Sequence, residues 1–255
     1  MDQKQRLVKI LELLEQREQL SQEELGKIFS VSKDTARRDI LLLTEQGLAE
    51  RYRGGISLPL IKAKIEKYSE RLVVNSKEKE LIARKAASLI RDNNTVLLDV
   101  STTVNFMAKY MTQKDLFIVT HSIDNAISFS SRNRDNKIFL LGGYFNPESH
   151  VMHGSSLLDQ LGQFYFDYAF IGASGINSEG IFYSDLEDIN VKKSIFSSSK
   201  KVCIVLDESK FNQTSSFKIG FEGIDTIITN KIIPSSLQKK INEYNIKLII
   251  ASEEE

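Results

Sequence analysis

The chain has 255 residues, of which 41% are hydrophobic and 27% charged, and its formal net charge at pH 7 is zero. This balance is typical of a globular protein with one or two domains, and the zero net charge indicates no class of partner. No apolar run approaches the roughly 20 residues that cross a bilayer, and the first residues lack an apolar signal core, so no membrane association is expected. The single cysteine, Cys203, excludes an intramolecular disulfide and favours a cytoplasmic location.

Three helices are predicted within the first 46 residues. The first is marked by apolar residues at helical spacing, namely Leu7, Ile10, Leu11 and Leu14. Ser21, with Glu24 three residues later, forms a capping-box pattern, so the second helix is predicted to begin at Gln22. Ser32 is expected to cap the third helix, which is predicted over residues 33–46 and is ended by a glycine at position 47.

The third helix is predicted to have two different faces. Its inward stripe consists of Ala36, Ile40 and Leu43. Its opposite side presents Asp34, Arg37 and Arg38. A short helix, a tight turn and a second helix with outward arginines are typical of a helix-turn-helix.

A wing is predicted directly after these helices. Residues 48–58 are expected to form two strands around the Gly54-Gly55 turn. Arg51 and Arg53 are two residues apart and would therefore lie on one face of the first strand.

The same residues resemble the amino-terminal domain of the DeoR/GlpR-type bacterial repressors. The matching positions are Val31, Ser32, Thr35, Arg37, Arg38, Asp39, Gly54 and Gly55. An arginine pair alone is usually a solvated surface, but helix, turn, helix and wing in the right order favour binding to double-stranded operator DNA. The expected DNA-binding residues are Ser32, Lys33, Thr35, Arg37, Arg38, Arg51 and Arg53. Residues 1–57 contain ten Lys or Arg and ten Asp or Glu, so a homo-oligomer on a repeated operator is expected to supply the affinity.

The rest of the chain predicts a linker and an α/β domain. The expected domain limits are 1–58 for the winged helix-turn-helix, 59–75 for the linker and 76–255 for the second domain, whose first helix Ser76 is expected to cap. Short apolar runs predict strands at 95–100, 117–121, 137–143, 167–173, 201–207, 226–230 and 247–251. Helical segments are expected after the first two of these strands, up to about residues 111 and 131, and near 154–163, 187–199 and 234–244. This alternation predicts a Rossmann-like, largely parallel sheet.

Polar residues follow several of these strands, where ligands bind in open parallel sheets. Asp99 and residues 101–103 follow the first strand, and hydroxyls with free backbone N–H groups at a helix start suit a phosphate, although simple helix capping by Ser101 or Thr102 explains them equally well. The other clusters are Gly142-Gly143, residues 172–175, and Asp207 with Lys210. Together these clusters predict a pocket.

The resemblance extends to about residue 230. Residues 97–103 resemble the family's Leu-Asp-x-Gly-Thr-Thr, with Ser101 in place of glycine, and residues 120–126 resemble Thr-Asn-Ser-x-x-x-Ala, with His121 in place of asparagine. The family's second domain is similar in fold to ribose-5-phosphate isomerase and binds a phosphorylated sugar that controls operator binding. The resemblance therefore implies an effector pocket that contains Asp99, Ser101, Thr102, Thr103, Ser174, Lys192, Asp207 and Lys210.

An enzyme is the main alternative. Sugar-phosphate isomerases carry a Gly-Ala-Asp-Glu sequence that supplies carboxylates, and here the run is Gly172-Ala173-Ser174-Gly175, so no catalytic residue is predicted. His150 and His153 are three apart but lack the further ligands of a structural zinc site, so neither a metal nor a cofactor is expected. The favoured function is a sugar-phosphate-responsive repressor of sugar metabolism genes. Three alternatives remain open: an isomerase-like enzyme with an appended DNA-binding domain, an activator, and a regulator that senses a different phosphorylated or nucleotide ligand.

Overall fold

A computed structural model describes residues 3–17, 19–45, 49–52, 54–57, 74–131, 135–147 and 149–252. These residues form two compact units, one built mainly from residues up to 57 and the other from residues after 73. The predicted linker lies mostly outside the described residues, and the predicted domain limits therefore remain predictions. None of the described helices has the length and apolar character that crossing a membrane requires.

The N-terminal unit contains three helices and three short strands. Its elements are α1 (Gln3–Arg17), β1 (Gln19–Ser21), α2 (Gln22–Phe29), α3 (Lys33–Glu45), β2 (Glu50–Tyr52) and β3 (Gly55–Ser57). The predicted apolar stripes meet in one core, because Ile10 and Leu14 of α1 are buried together with Ala36, Ile40 and Leu43 of α3. The prediction of a helix-turn-helix with a wing is confirmed.

The helix ends follow from local hydrogen bonds. The Ser21 hydroxyl accepts from the Glu24 backbone N–H at 3.1 Å, and the Glu24 carboxylate accepts from the Ser21 N–H at 2.8 Å, which is the predicted capping box. Ser30 ends α2 in the left-handed conformation, and the Ser32 hydroxyl accepts from the Thr35 N–H at 3.2 Å to cap α3. The predicted glycine stop at position 47 lies outside the described residues.

The wing belongs to a three-stranded antiparallel sheet in the order β1-β3-β2. The strand β1 was not predicted, and it places β3 in the centre of the sheet. Gly54 has a φ of 108°, and a Cβ added to Gly55 would lie 2.2 Å from the Leu20 carbonyl oxygen. The two glycines of the turn are therefore required for different reasons. Gly54 has a positive φ that favours glycine, and Gly55 allows β3 to approach β1.

A buried ion pair joins α1 to α3. The Arg6 Nε atom lies 2.5 Å from Asp39 Oδ2, and a second guanidinium nitrogen of Arg6 donates to Asp39 Oδ1 at 3.1 Å. Gln3 Nε2 also donates to this carboxylate, at 3.2 Å. Asp39 follows the two exposed arginines in the sequence but is fully buried. Its role is to fix the orientation of α3 against α1.

The C-terminal unit is an α/β domain around a seven-stranded parallel sheet. Its sheet order is β15-β14-β12-β9-β4-β5-β6. These strands are β4 (Thr95–Leu98), β5 (Phe117–Thr120), β6 (Lys137–Leu140), β9 (Tyr168–Ile171), β12 (Val202–Val205), β14 (Thr226–Thr229) and β15 (Lys247–Ile250). All seven predicted strands are therefore present, and the predicted fold class is confirmed.

Helices cover both faces of this sheet. The first face carries α4 (Ser76–Ala87), α5 (Thr102–Phe106) and α6 (Ile123–Ser130). The second carries α7 (Ser155–Leu161), α8 (Leu186–Ser197) and α9 (Ser235–Glu243). Side chains along β4 alternate between the two cores, since Val96 and Leu98 enter the first and Leu97 the second.

Small antiparallel elements complete the unit. They are the hairpin β7 (Tyr144–Asn146) with β8 (Val151–His153), and a sheet of β10 (Gly175–Asn177), β11 (Gly180–Tyr183) and β13 (Phe217–Ile219). Two predictions about helices were wrong in detail. Asn75, in the left-handed conformation, occupies the cap position of α4 and Ser76 is its first residue. The α-helix after β4 ends at Phe106 and continues only as a 3₁₀ turn to Lys109.

The strand order contains a switch point beside β4. From β4 the chain proceeds to β5 and β6 on one side, whereas β9, β12, β14 and β15 are added on the other. A crevice forms in such sheets where adjacent connections leave in opposite directions, at the carboxyl ends of the strands. Here that position lies between the ends of β4 and β9.

Candidate functional site

The exposed face of α3 is the first candidate site. Lys33, Arg37 and Arg38 are all exposed, while the neighbouring inward residues fill the core. Ser32 and Thr35 lie at the start of α3, with their hydroxyl oxygens 2.9 Å apart. The Gln22 side chain donates to the Lys33 carbonyl at 3.0 Å and thereby ties α2 to the beginning of α3. The helix therefore presents a fixed, basic surface of the kind that enters a DNA major groove.

The wing carries a further exposed arginine. Arg51 is exposed on β2, whereas Arg53 lies outside the described residues. The Gln22 backbone N–H donates to the Gly54 carbonyl at 2.9 Å, so the wing turn is hydrogen-bonded to the first residue of α2. The wing and the two helices consequently form one hydrogen-bonded body.

The second candidate site lies at the switch point of the parallel sheet. Asp99 follows β4, and Lys192 of α8 reaches it from 93 residues further along the chain, with Nζ 2.7 Å from Asp99 Oδ1. Both side chains are almost completely buried, at 1% and 2% exposure. Asp188, one turn earlier on α8, places its Oδ1 3.6 Å from the same ammonium. The Lys192 ammonium also lies 5.4 Å from the centre of the Tyr183 ring.

The cluster contains one ammonium group, of Lys192, and two carboxylates, of Asp99 and Asp188. Burial alone lowers the pKa of Lys192, but Asp99 and Asp188 outweigh this effect and raise the pKa above its usual 10.5. Lys192 is therefore charged at neutral pH and is neutralised by the two aspartates. A phosphate would meet net negative charge here, whereas neutral hydroxyl groups would meet strong acceptors.

His121, which follows β5, completes the cluster. Its Nε2 atom lies 3.4 Å from Asp99 Oδ1, and its ring is buried. Burial, and to a lesser degree the charge of Lys192, lowers the pKa of His121 to about 3. The ring is therefore neutral at physiological pH, and its contact with Asp99 is no ion pair. Because Nε2 faces the carboxylate, we assign the proton to Nε2, which leaves Nδ1 as an acceptor.

Several buried polar atoms of this cluster lack a hydrogen-bond partner among the described residues. They are Asp99 Oδ2, His121 Nδ1 and the Tyr183 hydroxyl. Buried polar atoms are normally satisfied, so these three indicate a place where a ligand or water supplies the missing bonds. Two of the atoms are acceptors, and a hydroxyl-bearing ligand would satisfy them.

The two histidines considered for a metal lie on a turn and a strand, not on a helix. The His150 ring contacts the Asp124 carboxylate, with Nδ1 3.0 Å from Oδ2. His153 Nδ1 lies 3.0 Å from Glu187 Oε2, but the two groups are not oriented for a hydrogen bond. Neither ring nitrogen of His153 has a hydrogen-bond partner among the described residues. Nowhere in the described residues do three or more His, Cys, Asp or Glu side chains form a group that could hold a metal ion.

The hydroxyl residues after β4 lie beside the cluster. Thr102 and Thr103 are buried at the start of α5, and Ser101 occupies the cap position without a side-chain hydrogen bond to the helix. A Cβ added to Gly172, at the end of β9, would lie 2.5 Å from Ser101 Cβ. The Ser101 side chain therefore occupies the space beside position 172 at the switch point, and only a glycine fits at that position.

The remaining predicted residues lie at neighbouring strand ends. Asp207, after β12, is buried, and its Oδ1 accepts from Asn75 Nδ2 at 3.1 Å and from the Ser209 N–H at 3.0 Å. Lys210 is partly exposed and forms no ion pair with any described residue. Ser174 is exposed after β9. The structure thus joins Asp99 and Lys192 directly, and it places Asp207, Lys210 and Ser174 on adjacent strand ends without a direct bond to them.

Three members of the cluster were not predicted as site residues: His121, Tyr183 and Asp188. For His121 a signal was present, because it stands where the resembling family has asparagine. Tyr183 lies on a short strand and Asp188 among other acidic residues of α8, and their local sequences give no sign of the contact with Lys192.

The neutral His121 predicts a specific acid sensitivity. The imidazole gains a proton near pH 6.5 when unfolded but only near pH 3 when folded, so its contribution to stability is complete above pH 6.5 and is lost as the pH falls towards 3. Between pH 7.5 and 4.5 the wild type should lose about 2–3 kcal/mol more unfolding free energy than His121→Asn. Urea unfolding followed by far-UV circular dichroism measures this difference, and equal losses would contradict the buried neutral state.

Comparisons with known proteins match both units of the chain. Residues 6–60 match the DeoR-like helix-turn-helix domain, and residues 74–231 match the DeoR C terminal sensor domain. Solved structures similar to the chain include ribose 5 phosphate isomerase A from Neisseria gonorrhoeae, at 18% identity over 52% of each chain with a TM-score of 0.38.

Two relatives match over nearly their whole length. The HTH-type transcriptional repressor GlcR of Bacillus subtilis (strain 168) is 37% identical over 256 residues, which is 100% of this chain and 99% of that protein. The glycerol-3-phosphate regulon repressor of Escherichia coli (strain K12) is 33% identical over 251 residues, or 97% and 99%. The chain therefore belongs to the DeoR family of transcriptional regulators, with a DeoR-like helix-turn-helix domain followed by a DeoR sensor domain.

Proposed function

We propose that this protein is a DNA-binding repressor of sugar metabolism genes, and that a phosphorylated sugar bound by the C-terminal unit controls its affinity for the operator. The observation that supports this most directly is the buried cluster around Asp99 at the switch point, whose acceptor atoms lack partners among the described residues. The names of the relatives, transcriptional repressors including one of a glycerol-3-phosphate regulon, support repression and a phosphorylated ligand. Such a regulator acts in the cytoplasm.

On the DNA side, the proposed contacts come from the start and outer face of α3 and from the wing. We assign base and phosphate contacts to Ser32, Lys33, Thr35, Arg37, Arg38, Arg51 and Arg53. The unit is small and formally neutral, so one copy would bind weakly. A homo-oligomer that places two units on two half-sites raises the effective concentration and supplies the affinity.

On the effector side, charge divides the proposed pocket into two ends. The phosphate is assigned to the hydroxyls of Thr102 and Thr103 and to the ammonium of Lys210, which has no carboxylate partner among the described residues. The sugar hydroxyls are assigned to the end that contains Asp99 and Asp207, because carboxylates accept from hydroxyls and repel phosphate. Lys192 holds Asp99 in place, and Ser101 and Ser174 line the pocket between these ends.

Regulation is assigned rather than catalysis. Abstraction of a proton beside a carbonyl needs a free, positioned base. Ser174 and Gly175 stand where the isomerases carry carboxylates, and Asp99 is held by the Lys192 ammonium at 2.7 Å. The relatives with nearly full coverage are named as repressors, which also supports a regulator.

A two-step experiment tests the proposal. The purified protein first selects a DNA duplex from a random pool, so the operator is identified by its binding alone. Phosphorylated hexoses, pentoses and glycerol phosphate, with the unphosphorylated compounds as controls, are then screened for a rise in melting temperature and for release of that duplex. A ligand must do both. Turnover of any of these compounds would instead support an enzyme.

Lys210→Ala should bind the operator normally but need much more effector to release it. Loss of one charge-assisted bond to a phosphate typically costs about 1.5–3 kcal/mol, so the effector concentration for half-release should rise roughly 10-fold to 100-fold. Titration of the operator complex with the effector measures the shift. The matched control is Lys200→Ala. Lys200 is exposed and precedes β12, whereas Lys210 follows β12, so this variant should titrate like the wild type. Equal sensitivity of all three proteins would remove Lys210 from the pocket.

A further inference from the structure

The edge strand β6 carries an exposed apolar surface. It is the last strand of the parallel sheet and pairs only with β5 among the described strands. Phe139 and Leu140 are each 38% exposed, although they point to opposite faces of the sheet. Natural proteins usually cover or charge such an edge, because it offers unpaired backbone groups to another strand.

The hydrogen bonds of β6 show which backbone groups face outward. The N–H groups of Lys137 and Leu141 donate to Leu116 and Thr120 of the β5 side, at 2.9 and 2.8 Å. Because direction alternates along a strand, the N–H and C=O groups of Ile138 and Leu140 point away from β5. Beyond them the backbone of Gly142 is already bound by the Gln160 side chain, whose Oε1 accepts from the Gly142 N–H at 3.0 Å. The open part of the edge is therefore centred on Phe139.

Other apolar side chains surround this edge. Ile127 of α6, the helix packed on β6, is 62% exposed, and Tyr165 is 68% exposed. The Phe139 ring lies 5.3 Å from the ring of Phe164, the neighbour of Tyr165 in the chain. Exposed apolar groups thus lie around the strand, which is typical of an interaction surface.

We propose that this edge is the contact between two copies of the chain, with β6 pairing antiparallel to β6 of the second copy about a two-fold axis at Phe139. In this register Ile138 of each copy faces Leu140 of the other, so all four outward backbone groups of each strand find partners. Lys137 faces Leu141 of the second copy, so no like charges are opposed. In this register apolar side chains face apolar side chains, because Phe139 faces Phe139 and Ile138 faces Leu140. The same surface thus serves both partners, which favours a second copy over an unrelated protein.

The register gives a crosslinking test. Two residues facing each other in a non-hydrogen-bonded antiparallel pair have Cα atoms about 4.5 Å apart, which permits a disulfide. Phe139→Cys should therefore form a covalent dimer on oxidation, seen on a non-reducing gel. Leu140→Cys is the matched control, because the diagonal separation from its symmetry mate, roughly 7–8 Å, is too long. The native Cys203 is buried and should not interfere.

Sedimentation provides the second measurement. The double variant Phe139→Lys, Leu140→Lys should have half the wild-type mass or less, while Ile250→Lys on the opposite edge strand β15 should keep the wild-type mass. Far-UV circular dichroism checks that each variant is folded. A folded Phe139→Cys protein that does not crosslink, equal crosslinking of the Leu140→Cys protein, or a double variant of unchanged mass would each overturn the proposal. The test does not use the effector, so its result is independent of the proposed ligand.

Discussion

Arg37→Ala and Arg38→Ala are each expected to abolish specific operator binding while leaving the fold intact. Both arginines are exposed on α3, so their loss does not disturb the core formed by the inward stripe. A lost base contact costs about 1–3 kcal/mol per subunit, and a dimer loses two such contacts, so affinity should fall by roughly 30-fold or more. Binding to the selected duplex and to a scrambled duplex at several salt concentrations measures the loss and its sequence dependence.

The matched control for the arginine variants is Lys9→Ala. Lys9 is exposed on α1 in the same unit, and its removal changes the net charge by the same amount as either arginine substitution. Operator affinity should remain at the wild-type level if position, not total charge, determines binding. Wild-type affinity of both arginine variants would show that α3 is not the recognition helix.

Lys192→Ala is expected to give the largest loss of stability. It leaves the Asp99 carboxylate buried without its ammonium partner, with Asp188 still close by. Removing one partner of a buried pair typically costs about 3–5 kcal/mol. The chain has no tryptophan, so unfolding is best followed by far-UV circular dichroism in urea.

A double substitution separates the lost pair from lost packing. Asp99→Asn with Lys192→Met removes both charges but retains side chains of similar size, and replacing a whole buried pair in this way is often nearly neutral. The double variant should therefore be clearly more stable than Lys192→Ala. It should also fail to respond to the effector, because the acceptor at position 99 has changed. A double variant as unstable as the single one would mean that the ion pair is not the source of the stability.

The parallel sheet was predictable because its strands are buried on both faces. Runs such as 202–205 are continuously apolar and differ visibly from the amphipathic helices around them. The three-residue strands β1, β7, β8, β10 and β13 and the four-residue strand β11 were not predicted. Such short segments have little intrinsic pattern, and their pairing depends on where the rest of the chain brings their partners.

The location of the second site was predictable from the strand ends, but its chemistry was not. Asp99 and Lys192 were expected in one pocket only through the family resemblance, since 93 residues separate them. The burial that keeps His121 neutral is a property of the folded domain and cannot be inferred from the neighbours of His121 in sequence. For Asp39 the neighbouring sequence did contain the signal, because Asp39 lies at helical spacing within the stripe of Ala36, Ile40 and Leu43. Its inward position was missed because charged residues usually face water.

The hydrogen bond between the Gln22 N–H and the Gly54 carbonyl has a consequence for how a signal is read out. The wing turn is fixed to α2, α2 is fixed to α3 through the Lys33 carbonyl, and α3 is fixed to α1 through Asp39. These contacts tie the described helices and the wing of the N-terminal unit together, so we expect the shape of the DNA-binding surface to stay the same when an effector binds. In the proposed homo-oligomer, we therefore expect an effector to act on the distance or angle between two such units, so half-site spacing in the operator, as well as base sequence, should determine how strongly a gene responds.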